Sequence, residues 1–334
     1  MMSVETVVQE KSDNRRRLLW RGVNLVVAIA LVAFIFNQVE WSSFLEMLSG
    51  LSPVLLFAAF FVYFLQNVFR SQRFIVLLDR NDIPIKTVIP IALYHNFLVR
   101  ILPFKLGEFS YIVLMRNRLD VPVEEGTSSL LGSRLLEFLM MVSVVAVTLP
   151  LAGGMISNQK SLAMTLGIVS VATVVIGFYF SGAILRWLIN VMRRMIKSDK
   201  VEAMAVKLEG FAQELDRIGE PRLFAKAVFW SCFSYASSFG VIAIMLYAVG
   251  LDVDPVTWIA LVSIGMFSTG IPFNIGGFGS VELGWAFGLT TFAVYGMSEA
   301  TSIGLMINGF QLLSAATLGL IGYGVVQLTE NRKG

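Results

Sequence analysis

The chain has 334 residues, 56% of them hydrophobic and only 15% charged, with a net charge of +3. Soluble domains carry about 25% charged residues, so the composition excludes a water-soluble globular protein and reads as a polytopic membrane protein. The small positive balance gives no reason to expect a nucleic-acid partner, and the single cysteine, Cys232, excludes an intramolecular disulfide.

In chain order, apolar runs lie at about 18–36, 53–69, 131–151, 162–180, 223–249 and 302–327. Each approaches the roughly 20 residues that cross a bilayer core of about 30 Å. No small-residue cleavage site follows the first run, which is therefore expected to be a retained span and not a signal peptide. Two further apolar stretches, about 87–117 and 257–296, are interrupted in the middle. The interruptions read Leu102-Pro103-Phe104-Lys105-Leu106-Gly107-Glu108-Phe109-Ser110 and Ile271-Pro272-Phe273-Asn274-Ile275-Gly276-Gly277-Phe278-Gly279. Pro, Phe, Gly and Phe recur at identical offsets. Proline and glycine break helices, and paired breaks in the two halves of a membrane protein point to a transport site between inverted repeats.

Of the 26 Lys and Arg residues, all except Lys160 fall in segments that can share one side: the first 21 residues, 70–86, 100–118, Arg134, 186–226 and 332–333. The positive-inside rule then puts both termini in the cytoplasm. The opposite loops carry acids: Glu40, Glu46, Asp252, Asp254 and Glu299. Because 70–86 and 116–118 share a side, stretch 87–117 must leave and return there, on arms of about 14 residues that are short for a full crossing. Stretch 257–296 does the same from the other side.

The expected fold is an all-α polytopic membrane protein of two inverted repeats, with about six full spans plus two re-entrant helical hairpins, or eight spans if the arms cross fully. Residues 1–17 form a cytoplasmic tail and 18–328 a single membrane domain, with repeat one at about 18–152 and repeat two at about 162–328. A cytoplasmic amphipathic insertion is expected at about 184–220. There, Val201, Met204, Ala205, Leu208, Phe211, Ala212, Leu215 and Ile218 recur at three- and four-residue spacing. This helix either lies on the membrane surface, with Arg193, Arg194 and Lys197 drawn to anionic lipid, or packs on the protein's own loops.

A charged group within a membrane is expensive unless paired or wet, so each is a functional candidate. The densest set surrounds the first motif: His95, Asn96, Arg100, Lys105, Gly107 and Glu108. Arg100 and Lys105 could hold a phosphate while Glu108 orients them or receives a cationic head group. The plainer alternatives are a first-turn acid at the positive end of a helix dipole and basic side chains snorkelling to the surface. Asn274, Gly276, Gly277, Gly279 and Ser280 bring backbone N–H groups to a helix start, with Glu282 in its first turn. Such a turn can bind an anion or simply allow close helix packing. Arg134 and Glu137 are three apart and can pair. Asn308 and Gln311 have the same spacing, which more often cements helices.

No metal site is expected, because His95 is the lone histidine and no other ligand stands at the right spacing. There is no Walker loop, no dinucleotide fingerprint and no recognisable Ser-His-Asp set. No cofactor is therefore expected.

Asn96 followed by Leu102-Pro103-x-Lys105-x-Gly107-Glu108 and then Arg134-Leu135-Leu136-Glu137 resembles the core of the lysylphosphatidylglycerol synthase transmembrane (flippase-like) family. Pro272 followed by Gly276-Gly277-Phe278-Gly279-Ser280-Val281-Glu282 is similar to that family's second-half signature. The resemblance covers roughly 15–328. It implies lipid movement across the cytoplasmic membrane. The family's best-known members join this module to a cytoplasmic aminoacyl-transfer domain, which this sequence does not contain, so synthesis of an aminoacyl lipid is not expected. Two departures remove positive charge from the implied site. Asn308, Gly309 and Gln311 stand where the family often has an arginine, and Tyr111 replaces a basic residue common after the Gly-Glu pair.

The leading expectation is translocation of a lipid, with a phosphate-bearing head group passing through a crevice between two hairpins. The competing reading is a membrane enzyme or partner subunit acting on polyprenyl-linked glycans, with His95 and Glu108 as its one acid–base pair. A scaffold that recruits a cytoplasmic enzyme through 186–222 is a third. A cytoplasmic or membrane enzyme partner and a homo-oligomer are compatible with all three.

Overall fold

The computed structural model describes residue 39 and residues 41–80, 82–102, 106–156, 160–196, 198–251, 253–268, 274–275, 278–292 and 295–330. The expected tail at 1–17 and first span at 18–36 lie outside the described residues, as do Pro103, Phe104 and Lys105 of the first motif and Gly276 and Gly277 of the second.

Helix α1 (Trp41–Ser49) is followed by α2 (Pro53–Leu78), α3 (Ile85–Ile101), α4 (Glu108–Leu119), α5 (Val123–Ile156), α6 (Lys160–Tyr179), α7 (Ser181–Met195), α8 (Asp199–Ile218), α9 (Pro221–Ala248) and α10 (Pro255–Ser268). The two-residue strands β1 (Asn274–Ile275) and β2 (Phe278–Gly279) precede α11 (Ser280–Phe292) and α12 (Met297–Glu330). Four helical segments among the described residues are long and apolar enough to cross a membrane: Pro53–Leu78, Val123–Val145, Pro221–Ala248 and Met297–Leu328. The chain is thus an all-α polytopic membrane protein, with one short extended pair between helices. β1 and β2 pair antiparallel, Asn274 opposite Gly279 and Ile275 opposite Phe278.

Helix α2 starts with Pro53, whose missing N–H costs nothing in a first turn. It ends at Asp79, which takes a left-handed φ of 53° and donates its N–H to the Val76 carbonyl. The helix outruns the apolar stretch that marks it in the sequence. Arg70 and Arg73, expected in a cytoplasmic loop, lie within it, and Arg73 is 0% exposed. Along α9 the contacts run in reverse order. Val62 faces Gly240, Gln66 Nε2 donates to Ser238 Oγ at 2.8 Å, and Arg73 reaches Ser231. The two helices are therefore antiparallel, brought close by small residues on α9.

Helices α3 and α4 fold back on each other. His95 meets Ser110, and Gly107 lies against Leu98 and Val99. A Cβ on Gly107 would strike that backbone. Gly107→Ala should therefore force the two helices apart and cost about 1–3 kcal/mol, the usual range for overpacking. The check is a fall in melting temperature of the purified protein that Gly126→Ala, whose Cβ would make only ordinary contacts with Ile112 and Val121 at 3.8–4.0 Å, does not share.

Helices α10 and α11 are likewise antiparallel, with Gly265 against Trp285 and Gly284 against Ser268. Trp285 is buried in the largest core cluster, with Leu261, Leu289, Ile303 and Ile307. A second cluster, around Phe74, Ile91, Tyr111 and Met115, seats α3 and α4 on α2.

Helix α7 leaves the end of α6 at a bend of 62°. Its inner face is pinned to α8: Arg186 Nη1 lies 2.5 Å from Asp216, and Arg193 bonds Glu202 and Glu209. Helix α8 in turn is braced on the protein. Ala205, Ala212 and Ile218 are buried, and Arg217 Nη2 donates to the Leu77 carbonyl at 2.8 Å. The exposed apolar residues Ile184, Trp187, Leu188 and Met195 belong to α7. Arg193 holds the Glu202 carboxyl below its ordinary value of 4.5, chiefly through their hydrogen bond. A depressed carboxylate stabilises above its unfolded value and loses that contribution as pH falls through the folded one. Acid below about pH 4.5 should thus loosen α7 from α8, seen as faster hydrogen exchange in 199–206, while Glu202→Gln should exchange fast at neutral pH already.

Candidate functional site

Buried polar residues converge where the second half of α2, the first half of α5 and the middle of α9 meet the α3–α4 pair. Glu137 lies at the centre. Its Oε1 accepts from Arg73 Nη2 at 2.5 Å and lies 3.7 Å from Arg70 Nε, while its Oε2 accepts from Arg134 Nη1. Arg134 also reaches back across the bundle. Its Nε and Nη2 donate to Glu108 Oε2 at 3.0 and 2.6 Å. Arg134 is thereby shared between the acid of the first motif and the acid one helical turn away on its own helix.

The rim is hydrogen-bonded to the same centre. Arg70 Nη1 donates to Asn96 Oδ1 at 2.9 Å, and Asn96 Nδ2 donates to the Tyr63 hydroxyl at 2.7 Å. Arg100 lies 5.8 Å from the centre of the Tyr63 ring and donates through Nη2 to Gln311 Oε1 of α12 at 2.8 Å. Below Glu137, Arg73 Nη2 bonds Ser133 Oγ at 2.7 Å, and the Tyr235 hydroxyl donates to the Glu137 carbonyl at 2.5 Å. His95 Nδ1 is 3.0 Å from Ser110 Oγ, and its Nε2 is 3.9 Å from Glu108 Oε2. Tyr111 is core: it stacks on Phe74 at 4.3 Å and its hydroxyl meets Ser129.

Charge balance decides what this arrangement can do. Arg70, Arg73 and Arg134 meet Glu108 and Glu137, and Arg100 joins the rim through Tyr63 and Gln311, leaving two positive charges uncompensated among the described side chains of the cluster. Arg73 Nε and Arg70 Nε are buried without a hydrogen bond among the described residues. Such a surplus in a partly dry site is costly unless an anion enters, and guanidinium forks match the oxygens of a phosphate.

Asn96, Arg100, Glu108, Arg134 and Glu137 therefore stand in one network with Gly107 at its turn. Arg70, Arg73, Tyr63, Ser133 and Tyr235 were not singled out from the sequence. A polar stripe at helical spacing (Tyr63, Gln66, Asn67, Arg70, Arg73) was the available signal.

The second-half residues are placed elsewhere. Gly279 has a φ of 141°, a conformation that favours glycine, and its N–H donates to Glu282 Oε2 at 2.7 Å. Glu282 Oε1 accepts from Asn308 Nδ2 at 2.6 Å, and Ser280 Oγ donates to the Ser268 carbonyl at 3.0 Å. The described donor of this turn thus serves the protein's own carboxylate. Asn274 sits in β1, while Gly276 and Gly277 lie outside the described residues.

No group of three or more His, Cys, Asp or Glu residues that could hold a metal occurs among the described residues. No curated protein and no solved structure matches this chain. The family described as the lysylphosphatidylglycerol synthase TM region matches residues 23–322. The motifs that line the arginine-rich network and the buried turn of Glu282 all fall inside that match, and the chain belongs to this family of membrane proteins.

Proposed function

We propose that the protein moves a phosphate-bearing lipid across the cytoplasmic membrane. The observation that carries this is the surplus of guanidinium charge around Glu108 and Glu137, at a place reached by the turn between α3 and α4. In this reading α3–α4 and α10–α11 are re-entrant hairpins of two inverted repeats, and their antiparallel packing supports it. Both termini face the cytoplasm, so the arginine network opens to the inner leaflet. The head group displaces water from Arg70, Arg100 and Arg134, while its acyl chains stay in the bilayer. Opening of the second hairpin then gives the head group to the other leaflet.

The test uses purified protein in liposomes that contain a fluorescent phosphatidylglycerol, with dithionite to count outer-leaflet probe. Quenching beyond that of protein-free vesicles is expected. Glu108→Gln takes a charged hydrogen-bond partner from Arg134, an interaction of about 1.5–3 kcal/mol, and should slow movement about tenfold or more. Wild-type rates in a folded Glu108→Gln protein would reject the site.

The second reading is a membrane enzyme acting on a phosphate-linked lipid. It is favoured by the placement of His95 between Ser110 and Glu108. Ser110 Oγ donates to the Gly107 carbonyl at 2.6 Å, which commits its proton away from His95. Chemical turnover of a polyprenyl-phosphate substrate that His95→Gln abolishes, without lipid movement, would favour this reading.

A further inference from the structure

The acids of the two halves are treated differently. Glu108 and Glu137 each hold arginines, whereas Glu282 is 0% exposed and is met by the Gly279 N–H and the Asn308 amide, both neutral. Its two oxygens accept at 2.7 and 2.6 Å, and no ion pair to it is formed among the described residues. The sequence explains this. Residues 227–331 contain no Lys, Arg or His. The elements packed against α11 are α10, α12 and β2. Neither α10 nor β2 has a charged residue, and α12 has only Glu299 and Glu330, near its two ends. Among the described residues, Arg100 touches this set, reaching α12 from α3 at Gln311.

A capping role explains the bond to Gly279, since a glutamate three residues into a helix commonly reaches back to the N-cap N–H. It does not explain why the carboxylate is sealed from water with no cation beside it among the described residues, where an unpaired charge is costly. A carboxylate inside a membrane protein, on a broken helix pair, is where coupling ions bind in transporters.

We propose that Glu282 is a proton-binding site that couples lipid movement to the transmembrane proton gradient. This rests on the translocation reading given above. The step is a simple one: the carboxylate takes a proton from water on one side and returns it on the other as the α10–α11 pair changes its exposure. Asn308 and Gln311 form the link to the head-group site. They lie three residues apart on α12, about 4.5 Å along its axis, and hold Glu282 and Arg100 respectively. A proton on Oε1 would face the Asn308 amide donor-to-donor, so Asn308 must turn or withdraw. That change occurs within one turn of the residue that restrains Arg100.

The experiment is dithionite-quenched movement of fluorescent phosphatidylglycerol in proteoliposomes with an imposed pH difference of either sign, repeated with a sodium difference at constant pH. The wild-type rate should change about fivefold or more with the sign of the pH difference, a typical coupling factor, and be indifferent to sodium. Glu282→Gln should move lipid at one rate whatever the gradient. Difference infrared spectra taken across a pH titration should show a carboxyl C=O band in the wild type that is missing in Glu282→Gln. If that variant fails to fold, Asn308→Ala should shift the same band instead. Lipid movement that ignores the pH difference, or responds to sodium alone, overturns the proposal while leaving translocation standing. Absence of lipid movement rejects translocation itself, and with it the coupling. An absent carboxyl band overturns proton binding at Glu282 in either case.

Discussion

Replacement of Glu137 by Ala should be the most damaging single change to the fold. The residue is the only described acid in contact with Arg73, which has no exposure to solvent, and it also draws in Arg134 and Arg70. Without it Arg73 faces, among the described residues, only the hydroxyls of Ser133 and Ser231. Removing one partner of a buried charge pair costs about 3–5 kcal/mol, far more than the pair contributes when intact. The melting temperature in detergent should fall sharply, and lipid movement should be lost with it. A double replacement separates the two effects. Removing both charges, with Arg73→Met and Glu137→Met, should restore much of the melting temperature, because an apolar pair of similar volume is tolerated in such a place. Lipid movement should stay low, since Arg134 has lost its neighbour. A single Glu137→Ala protein with wild-type melting would show that Arg73 finds another anion and that the centre is misassigned.

Arg70→Ala should do the reverse, sparing the fold and stopping the work. Arg70 is half-buried; its Nε is 3.7 Å from Glu137 and makes no hydrogen bond among the described residues. Its loss frees Asn96 Oδ1 but leaves Glu137 with Arg73 and Arg134. Melting should therefore change little. A charged hydrogen bond to a bound phosphate is of the order of 1.5–3 kcal/mol, so movement of an anionic lipid should slow by about ten- to a hundredfold. Arg80→Ala is the control. Arg80 is held by Asp82 in the loop after α2 and by Glu125, outside the network. Equal slowing in both variants would mean that bulk surface charge, and not the cluster, governs the rate.

The long apolar helices were legible because twenty consecutive apolar residues admit few other interpretations. The Arg134–Glu137 pair was legible because residues three apart on a helix are neighbours. The centre of the site was not. Arg73 finds Glu137 across a sequence separation of 64 residues and Ser231 across 158, and no periodicity encodes such meetings. The apolar run that ends at 69 also misplaced the end of α2 by nine residues, to Leu78, and so assigned two network arginines to a loop. Charge in this part of the helix marked continuation into a polar interior. The basic residue that the resemblance leads one to expect at 111 illustrates the same point. Tyr111 is a core residue against Phe74, and positive charge enters from α2 in its place. For the amphipathic segment, spacing located α8, but its partner α7 carries more of the exposed apolar side chains, Ile184, Trp187, Leu188 and Met195 against Met204 and Val206 on α8.

The long interval without basic residues also bears on biogenesis. Between Lys226 and Arg332 the insertion machinery meets no Lys or Arg with which to read the orientation of α10 to α12. In the proposed topology the flanking basic residues, Arg217, Arg222 and Lys226 before it and Arg332 and Lys333 after it, hold both ends on one side while everything between is threaded without a signal of its own. The second half of the molecule is thus topologically dependent on its borders. A pair of lysines placed near Asp254 would compete with them, and the insertion of several helices, not one, would be at stake.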